Sequence, residues 1–302
     1  MRVLVTGASG FVGRHLTALL EAGNHEVARC SRAQLHGNEP LDLAGIHAVV
    51  HLAGQAFVPE AIASPLDTYE ANIIGAAHIA RAIARHTSVS GERPRLIFAS
   101  SGEVYGNVAA DLLPIKEEVE TKPSNPYAAS KAAAETVLLG EYRSFGLDVV
   151  IGRAFNAIGP GQNTRFAIAD FAAQLVKISN GAPAKISVGN LSAERDFLDI
   201  RDVASAYVAL AERGTPGETY NICSGTPRSL RSLLDELIGL SGLSVAITED
   251  PLRMRPNDSP IVLGSNAKLC SQTGWVPVRS LTASLRDVLQ WAREIDESAL
   301  HF

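Results

Sequence analysis

The 302-residue chain has few cysteines, few aromatic residues and no excess of basic charge. Its three cysteines, Cys30, Cys223 and Cys270, share no metal-ligand spacing, so we expect no metal site and a reduced, cytoplasmic protein. The net charge of −5 offers no positive field for nucleic acid. We expect no membrane segment, because no apolar run is long enough to span a bilayer, and no signal peptide, because Met1 leads directly into an apolar strand.

The N-terminus combines a short apolar strand with a glycine-rich turn. Residues 2–6 read as the strand, and three glycines spaced G-x-x-G-x-x-G then open a helix that extends to about Glu21. Glycine lets the backbone turn tightly and approach a pyrophosphate at a helix N-terminus. We therefore predict a dinucleotide site, with a plain strand-to-helix turn as the alternative. The predicted cofactor contacts in this turn are Gly7, Gly10, Phe11, Val12 and Gly13.

Beyond this turn, apolar strands alternate with helical stretches, as a doubly wound parallel sheet requires. Hydrophobic residues make up 46% of the chain, which is ample for a core. The length accommodates one large α/β domain and a smaller appendage. We predict an α/β fold with a Rossmann domain over residues 1–156. A smaller C-terminal α/β domain, mainly over 157–302, binds the substrate, and segments such as about 198–225 can return to the Rossmann sheet.

The end of the second predicted strand, residues 26–30, indicates which dinucleotide is bound. NAD sites usually carry an acidic residue there for the ribose 2′-hydroxyl, whereas an arginine suits a 2′-phosphate. Here Arg29, Ser31 and Arg32 stand in its place. We predict NADP(H), with NAD(H) as the second option and Arg32 as a cofactor ligand, unless both arginines are solvated surface residues. The further predicted cofactor contacts are Asp42, Leu43, Leu52, Ala53 and Gly54.

Tyr127 and Lys131 lie four residues apart in a helix predicted over residues 127–142. Asn125 is a suitable N-cap and Pro126 fits the first helical position. The spacing places the phenol and the ammonium one turn apart on one helix face. A cation about 4 Å away, at an effective dielectric near 20, supplies about 4 kcal/mol, enough to lower a tyrosine pKa from about 10 to about 7. We predict a proton donor for neutral pH, although such pairs also occur by chance.

Ser101 follows an apolar strand over residues 95–99, at the sheet edge where ligands bind, and could hydrogen-bond a substrate carbonyl. The glycine turn, Ser101 and Tyr127-x-x-x-Lys131, in this order and spacing, resemble the extended short-chain dehydrogenase/reductase family over essentially the whole chain. That family includes nucleotide-sugar epimerases, dehydratases and reductases. The resemblance implies Tyr127 as acid–base, Lys131 as its electrostatic partner and ribose ligand, and Ser101 as carbonyl hydrogen-bond donor. It also implies a homodimer formed by the helices carrying Asn72 and Tyr127.

Later segments resemble those that bind substrate in this family. The resemblance implies that Asn156 reaches the sugar nucleotide and that Arg195 holds its diphosphate. It implies a second such site at Arg255 and Asp258. A guanidinium fork binds phosphate bidentately, so the role suits the chemistry of arginine. Interdomain ion pairs are the alternative for both arginines.

A narrower resemblance, to the branch of the family that reduces the 4-keto group of GDP-4-dehydro-6-deoxy-D-mannose to give GDP-D-rhamnose, implies a GDP-linked 4-keto-6-deoxy sugar as substrate. Gly102 agrees with this, since dehydratases of the family generally carry an Asp-Glu or Ser-Glu pair after the active-site Ser or Thr, for elimination across C5–C6. Here Gly102 replaces the first residue of that pair and Glu103 is the second; a reductase needs no elimination acid. Gly102 and Glu103 are both predicted substrate contacts. A dehydratase or 4-epimerase with retained nicotinamide remains the alternative, and the C4 stereochemistry stays open. The stretches that carry this resemblance are residues 51–61, 100–106, 113–118 and 220–225.

Overall fold

The structure is a computed structural model that describes residues 1–254 and 259–299. The strands, numbered β1 to β12 along the chain, are Arg2–Thr6, Glu26–Arg29, Ala48–His51, Arg95–Ser101, Val149–Ala154, Asn156–Ile158, Lys185–Val188, Glu194–Asp199, Thr219–Ile222, Pro227–Ser229, Ala246–Glu249 and Ile261–Val262. The helices, numbered α1 to α11, are Phe11–Ala22, Arg32–Leu35, Val58–Ala63, Pro65–Tyr69, Gly75–Ser90, Pro126–Phe145, Ala167–Ser179, Ile200–Arg213, Leu230–Ser241, Ala267–Thr273 and Leu281–Ala299. Within these two described ranges, no helix combines the length and the apolar composition needed to cross a membrane.

The chain divides into two compact units. The first comprises Met1–Phe155, Val203–Cys223 and Gly264–Val276, and the second comprises Asn156–Asp202, Ser224–Leu263 and Pro277–Phe302. The return of Gly264–Val276 to the first unit was not anticipated from sequence. It is held there by polar contacts: Asn266 Nδ2 donates to the carbonyl of Cys223 at 2.9 Å.

A six-stranded sheet in the order β2-β1-β3-β4-β5-β9 forms the centre of the first unit. Every adjacent pair is parallel, and β3 and β5 are buried almost throughout, as expected for strands covered on both faces. The predicted α/β class and Rossmann sheet are therefore confirmed. The strand order reverses at β1, which places a crevice beyond the carboxyl ends of β1 and β3, where ligands bind in such sheets.

Helix α6 begins as the sequence predicts. The Asn125 side chain accepts a hydrogen bond from Ala128 N at 2.9 Å, and Pro126 occupies the first turn. The helix continues past the predicted end at Tyr142, to Phe145, because Gly146 supplies the left-handed C-cap with φ 69°.

The helical stretch over residues 65–90 is interrupted. α4 is followed by a π-helical turn, Glu70–Ile74, before α5 begins at Gly75. A π turn inserts one residue into the helical repeat and is often found at functional sites.

The second unit is a smaller α/β assembly. β8 pairs with β6, β10 and β12, and β7 pairs with β11. Its core joins α7, α9 and α11, with Leu175, Leu234 and Leu285 almost fully buried.

Candidate active site

Close backbone packing shapes the turn between β1 and α1. Gly7 has φ 67°, and a Cβ on it would lie 2.9 Å from Ala53 N. A Cβ on Gly13 would lie only 2.1 Å from the carbonyl oxygen of Gly7, so the helix packs directly on the turn. Gly10, the N-cap, has no side chain to occupy the first N–H groups of α1. These groups and the positive end of the helix dipole are therefore available to a pyrophosphate, and the turn fits a dinucleotide.

The loop after β2 separates the two candidate arginines. Arg29 forms an ion pair with Glu21 at 2.9 Å. Arg32 is exposed in the short helix α2, which Ser31 caps. The structure also places an acid here, since Ser31 Oγ donates to Glu39 Oε2 at 3.3 Å. Sequence reasoning missed this carboxylate because it lies beyond β2 and reaches the strand end only through the fold.

Asp42 and Leu43 occupy a turn rather than an open cleft. Asp42 Oδ1 accepts from Ala44 N at 3.1 Å. Leu43 is 1% exposed and packs in the core with Leu4 and Ile46. The core position leaves only the Leu43 backbone for the predicted cofactor contact.

The residues at the end of β3 are fixed by hydrogen bonds. Ala53 N donates to Thr6 Oγ1 at 3.1 Å, and the same hydroxyl lies 2.7 Å from His51 Nδ1. Burial and the charge of Lys131 lower the pKa of His51 to about 3, so the ring is neutral. Among the described residues, His51 Nε2 meets no hydrogen-bond partner. His51 is thus a buried core residue, and only one of its two ring nitrogens is hydrogen-bonded.

Asn72, in the π turn, ties this edge to helix α6. Its Oδ1 accepts from Gln55 N at 2.9 Å, and its Nδ2 donates to Gln55 O at 2.9 Å and to Ser130 Oγ at 2.8 Å. A Cβ on Gly54 would lie 2.4 Å from Asn72 Oδ1, so only glycine fits there. The predicted Leu52, Ala53 and Gly54 segment is therefore held against the start of α6.

Ser101, Tyr127 and Lys131 come together within the first unit. Tyr127 is hydrogen-bonded to Ser101, which is 7% exposed at the end of β4. Lys131 Nζ donates to the carbonyl of Ala99 at 2.8 Å and lies 4.8 Å from the centre of the Phe98 ring. A phenol, a hydroxyl and an ammonium thus converge where β4 meets α6.

The expected lowering of the pKa of Tyr127 to about 7 is wrong for this structure. Burial raises the pKa of Tyr127 to about 12, while the Ser101 hydrogen bond lowers it and the Glu103 charge raises it. Burial also lowers the pKa of Lys131 to about 8, against the charge of Glu135. The sequence argument counted the attraction of one cation and left out desolvation, which dominates here. At neutral pH the phenol therefore carries its proton.

Gly102 and Glu103 have different surroundings. A Cβ on Gly102 would lie 3.0 Å from the Phe155 ring. The same ring approaches Gly264, where a Cβ would lie 2.7 Å from Phe155 Cζ. Phe155 therefore fills the space that a side chain at position 102 would need. Glu103 Oε2 accepts from Asn125 Nδ2 at 3.2 Å, so its carboxylate lies beside the N-cap of α6.

Asn156 and Arg195 belong to the second unit. Asn156 is exposed on β6 and lies opposite Phe197 of β8. Since residues two apart on a strand share a face, Arg195 lies on the same face as Phe197 and Asn156. Arg195 Nη1 donates to the carbonyls of Glu194 and Ser259, at 2.7 and 2.8 Å.

Other charged residues of the segment 194–203 have partners within the second unit. Asp196 is fully buried and accepts from Ser224 N at 2.7 Å. Arg201 forms an ion pair with Asp199 at 2.7 Å. The predicted residues Arg255 and Asp258 lie outside the described residues. In the part of the chain that the structure describes, no group of three or more His, Cys, Asp or Glu side chains could hold a metal ion.

Sequence reasoning missed a buried ion pair next to the site. Glu135, one turn beyond Lys131 on α6, is 4% exposed, and Arg153 Nη2 lies 2.6 Å from its Oε2. Ser100 Oγ also donates to this carboxylate. The i, i+4 spacing after Lys131 is the signal that could have identified Glu135.

The chain is similar in sequence and in structure to known proteins. A sequence model of the NAD dependent epimerase/dehydratase family matches residues 3–223. The chain is 40% identical to GDP-6-deoxy-D-mannose reductase of Pseudomonas aeruginosa, over 98% of this chain and 99% of the relative. It is 30% identical to GDP-6-deoxy-D-talose 4-dehydrogenase of Aggregatibacter actinomycetemcomitans, over 91% and 92%. The solved structure of RMD from Pseudomonas aeruginosa complexed with NADPH is similar with a TM-score of 0.89 and 38% identity, covering 97% of this chain and 99% of that one.

Proposed function

This chain belongs to the NAD-dependent epimerase/dehydratase family, and we propose that it is an NADPH-dependent reductase. Its substrate is GDP-4-dehydro-6-deoxy-D-mannose, whose 4-keto group becomes the hydroxyl of GDP-D-rhamnose. The observation that carries this proposal is the 40% identity, over nearly the full length of both chains, to GDP-6-deoxy-D-mannose reductase. The first unit binds NADPH and carries the catalytic residues, and the second binds the nucleotide sugar.

The chain's own residues bind the cofactor at three places. The N–H groups at the start of α1 hold the pyrophosphate, and the turn around Gly7 and Gly13 lets it approach the backbone. Arg32 interacts with the 2′-phosphate, while NADH remains a weaker alternative. Lys131 holds the nicotinamide ribose. NADPH, when bound, supplies the hydride that adds to C4 of the sugar.

Tyr127 supplies the proton. As the hydride adds to C4, the carbonyl π electrons move to oxygen, which takes the phenolic proton. A developing alkoxide is a stronger base than the phenolate of Tyr127, because an alcohol is a weaker acid than this phenol, even with the phenol's pKa raised to about 12. The transfer is therefore downhill. Ser101 donates a hydrogen bond to the same oxygen, and the ammonium of Lys131 favours the phenolate that results.

The packing around Gly102 favours a reductase over a dehydratase. An elimination acid at this position would require the Phe155 ring to move, because a Cβ there would already lie 3.0 Å from it. Glu103 remains as a polar contact for the sugar. The reduction needs only the proton of Tyr127, so the missing side chain costs it nothing.

The proposed function is tested by cofactor stoichiometry and product analysis. Purified protein is incubated with GDP-4-dehydro-6-deoxy-D-mannose and NADPH, and NADPH absorbance and the NMR spectrum of the product are followed. We expect one NADPH oxidised per ketone reduced, with the C4 configuration of rhamnose. The C4 epimer, GDP-6-deoxy-D-talose, would keep the reductase and change its stereochemistry. Turnover without net NADPH oxidation would instead support a dehydratase or epimerase.

Arg32→Ala is expected to weaken discrimination between the two cofactors. Removing one exposed guanidinium from a phosphate contact costs about 1 kcal/mol, which corresponds to an increase of about fivefold in KM for NADPH. KM for NADH should change little, because NADH has no 2′-phosphate. Steady-state kinetics with both cofactors measure this ratio. Equal changes in KM for NADPH and NADH would show that Arg32 does not contact the 2′-phosphate.

Arg195→Ala is expected to raise KM for the nucleotide sugar about tenfold or more, because one charge-assisted contact with the diphosphate is lost. The Kd for NADPH should be unchanged. Arg231→Ala is the matched control, since Arg231 pairs with Asp235 on an exposed surface of the same unit. An unchanged KM in Arg195→Ala would assign Arg195 a structural role, through its bonds to backbone carbonyls.

We also propose that the protein is cytoplasmic and forms a homodimer. Cys30, Cys223 and Cys270 are all free thiols, which suits a reducing compartment. Around α4, the apolar side chains of Ile62 and Leu66 are 61% and 77% exposed. Such exposure supports a second copy covering this surface.

A further inference from the structure

Three ionisable side chains lie along one face of α6. Tyr127, Lys131 and Glu135 follow each other at i, i+4 spacing, so the phenol, the ammonium and the carboxylate occupy successive turns. The first two act on the substrate and cofactor in the proposed mechanism. Glu135 is buried behind them and has no role in that mechanism.

The carboxylate of Glu135 receives three hydrogen bonds from Arg153. Arg153 Nε donates to Oε1 and Oε2 at 3.0 and 3.2 Å, and Nη2 donates to Oε2 at 2.6 Å. The far side of the guanidinium lies on the Tyr105 ring, with Cζ 4.7 Å from the ring centre. Tyr105 in turn donates to Asn221 Oδ1 at 2.7 Å. Arg153 is thus fixed from both sides.

The register of the sheet joins this pair to the end of β4. Ser100 of β4 lies opposite Arg153 of β5, and Ser100 Oγ donates to the Glu135 carboxylate. The neighbouring Ala99 carbonyl accepts from Lys131 Nζ at 2.8 Å. Two consecutive residues of β4 are therefore tied to α6, immediately before Ser101.

We propose that the Glu135–Arg153 pair positions the active site by fixing the end of β4 against α6 and by keeping a negative charge beside the Lys131 ammonium. Neither residue touches substrate or cofactor; both act through Ser100 and Lys131. The charge matters because burial disfavours the ammonium and Glu135 opposes this effect. Without that carboxylate, Arg153 would remain as an unpaired buried cation, which disfavours the ammonium further.

Other groups near Lys131 do not replace this carboxylate. His51 of β3 interacts with the charge of Lys131, and Tyr127 and Glu135 lie one turn to either side of it on α6. Glu103 interacts with Tyr127, and Arg153 pairs with Glu135. His51 is neutral, and Tyr127 carries its proton at neutral pH. The charge of Glu103 acts on Tyr127. Glu135 is the carboxylate on this helix face that favours a charged Lys131.

Glu135→Gln tests the proposal without a bound ligand. The side-chain resonance of Lys131 is followed by NMR as a function of pH in protein labelled with ¹³C-lysine, and Lys131→Arg assigns the signal. In the parent protein, burial lowers the pKa of Lys131 to about 8. We expect its titration to move to lower pH by about one unit in Glu135→Gln, because one opposite charge has been removed.

The same variant is expected to change the pH profile of kcat. The reaction needs the ammonium, so activity falls as pH rises through the Lys131 titration, and this alkaline limb should move to lower pH by the same amount. Asp148→Asn is the matched control. Asp148 pairs with Arg95 at 3.1 Å, where β4 and β5 begin, which is the end of these strands away from Ser101. This substitution should lower the midpoint temperature of unfolding, and it should shift neither the Lys131 titration nor the alkaline limb of the kcat profile.

Two results would contradict the proposed role of the Glu135–Arg153 pair. An unmoved Lys131 titration in Glu135→Gln, or an equal shift in Asp148→Asn, would overturn the proposal. If Glu135→Gln does not fold, Glu135→Asp is used, because it keeps the charge on a shorter side chain. We then expect a lower kcat and an unshifted alkaline limb of the pH profile; a shifted limb would contradict the proposal.

The kinetic measurement rests on the proposed function. If the parent protein does not oxidise NADPH with the keto sugar, that function fails, while the NMR arm still tests the pair.

Discussion

Tyr127→Phe is expected to reduce kcat for reduction of the keto sugar by about 10³-fold, within the range measured for loss of a positioned general acid. The phenylalanine ring keeps the shape of the side chain but removes the proton and the hydrogen bond to Ser101. Hydride addition would then leave an alkoxide whose proton must come from water. The Kd for NADPH should change by less than about twofold, because one hydroxyl among many contacts is lost.

Single-turnover oxidation of NADPH measures the chemical step, and a fluorescence titration measures cofactor binding. Tyr142→Phe is the matched control, since Tyr142 lies on the same helix and is 36% exposed. It should leave kcat unchanged. A Tyr127→Phe variant that still turns over at the parent rate would remove Tyr127 from the proton transfer, whatever the position of its ring.

Gly13→Ala is expected to raise the Kd for NADPH by at least about 30-fold, equivalent to about 2 kcal/mol. The new Cβ would lie 2.1 Å from the carbonyl oxygen of Gly7 and 2.7 Å from Ala8 Cα. Both are backbone atoms, so α1 must move away from the turn. The N–H groups that hold the pyrophosphate move with it, and overpacking lowers the free energy of unfolding by about 1–3 kcal/mol.

Gly140→Ala provides the control for this prediction. Gly140 lies inside α6, and a Cβ there would meet no atom within 4 Å in the described part of the chain. This substitution should raise the free energy of unfolding by up to about 1 kcal/mol and leave NADPH binding unchanged. Isothermal titration with NADPH and thermal unfolding of both variants separate the two effects. Tight binding by Gly13→Ala would show that α1 need not approach the turn this closely.

Local features were readable from the sequence because neighbouring residues specify them. Asn125 and Pro126 begin α6 as predicted, since a cap and a fixed φ act on the next turn alone. The strand, glycine turn and helix at the N-terminus were likewise predicted at nearly their observed bounds. The i, i+4 spacing brought Tyr127 and Lys131 onto one face without any knowledge of the rest of the fold.

The state of those groups was not readable from the sequence. The pKa of Tyr127 was expected near 7 and lies at about 12, because it depends on how much water the folded chain removes from the phenol. The Lys131 ammonium donates to the Ala99 carbonyl, a contact set by the packing of α6 on β4. Arg29 looked available for a phosphate, and the fold pairs it with Glu21.

The sequence by itself determined the class of fold, the glycine turn and the order of the reactive side chains, because short-range backbone geometry and residue chemistry decide these. The tertiary structure alone decided which strands are neighbours. That register placed Ser100 opposite Arg153, and the packing of α6 buried Glu135 against both of them. The fold also brought residues 264–276 back to the first unit. Such pairings join residues far apart in the chain, and no local spacing specifies them.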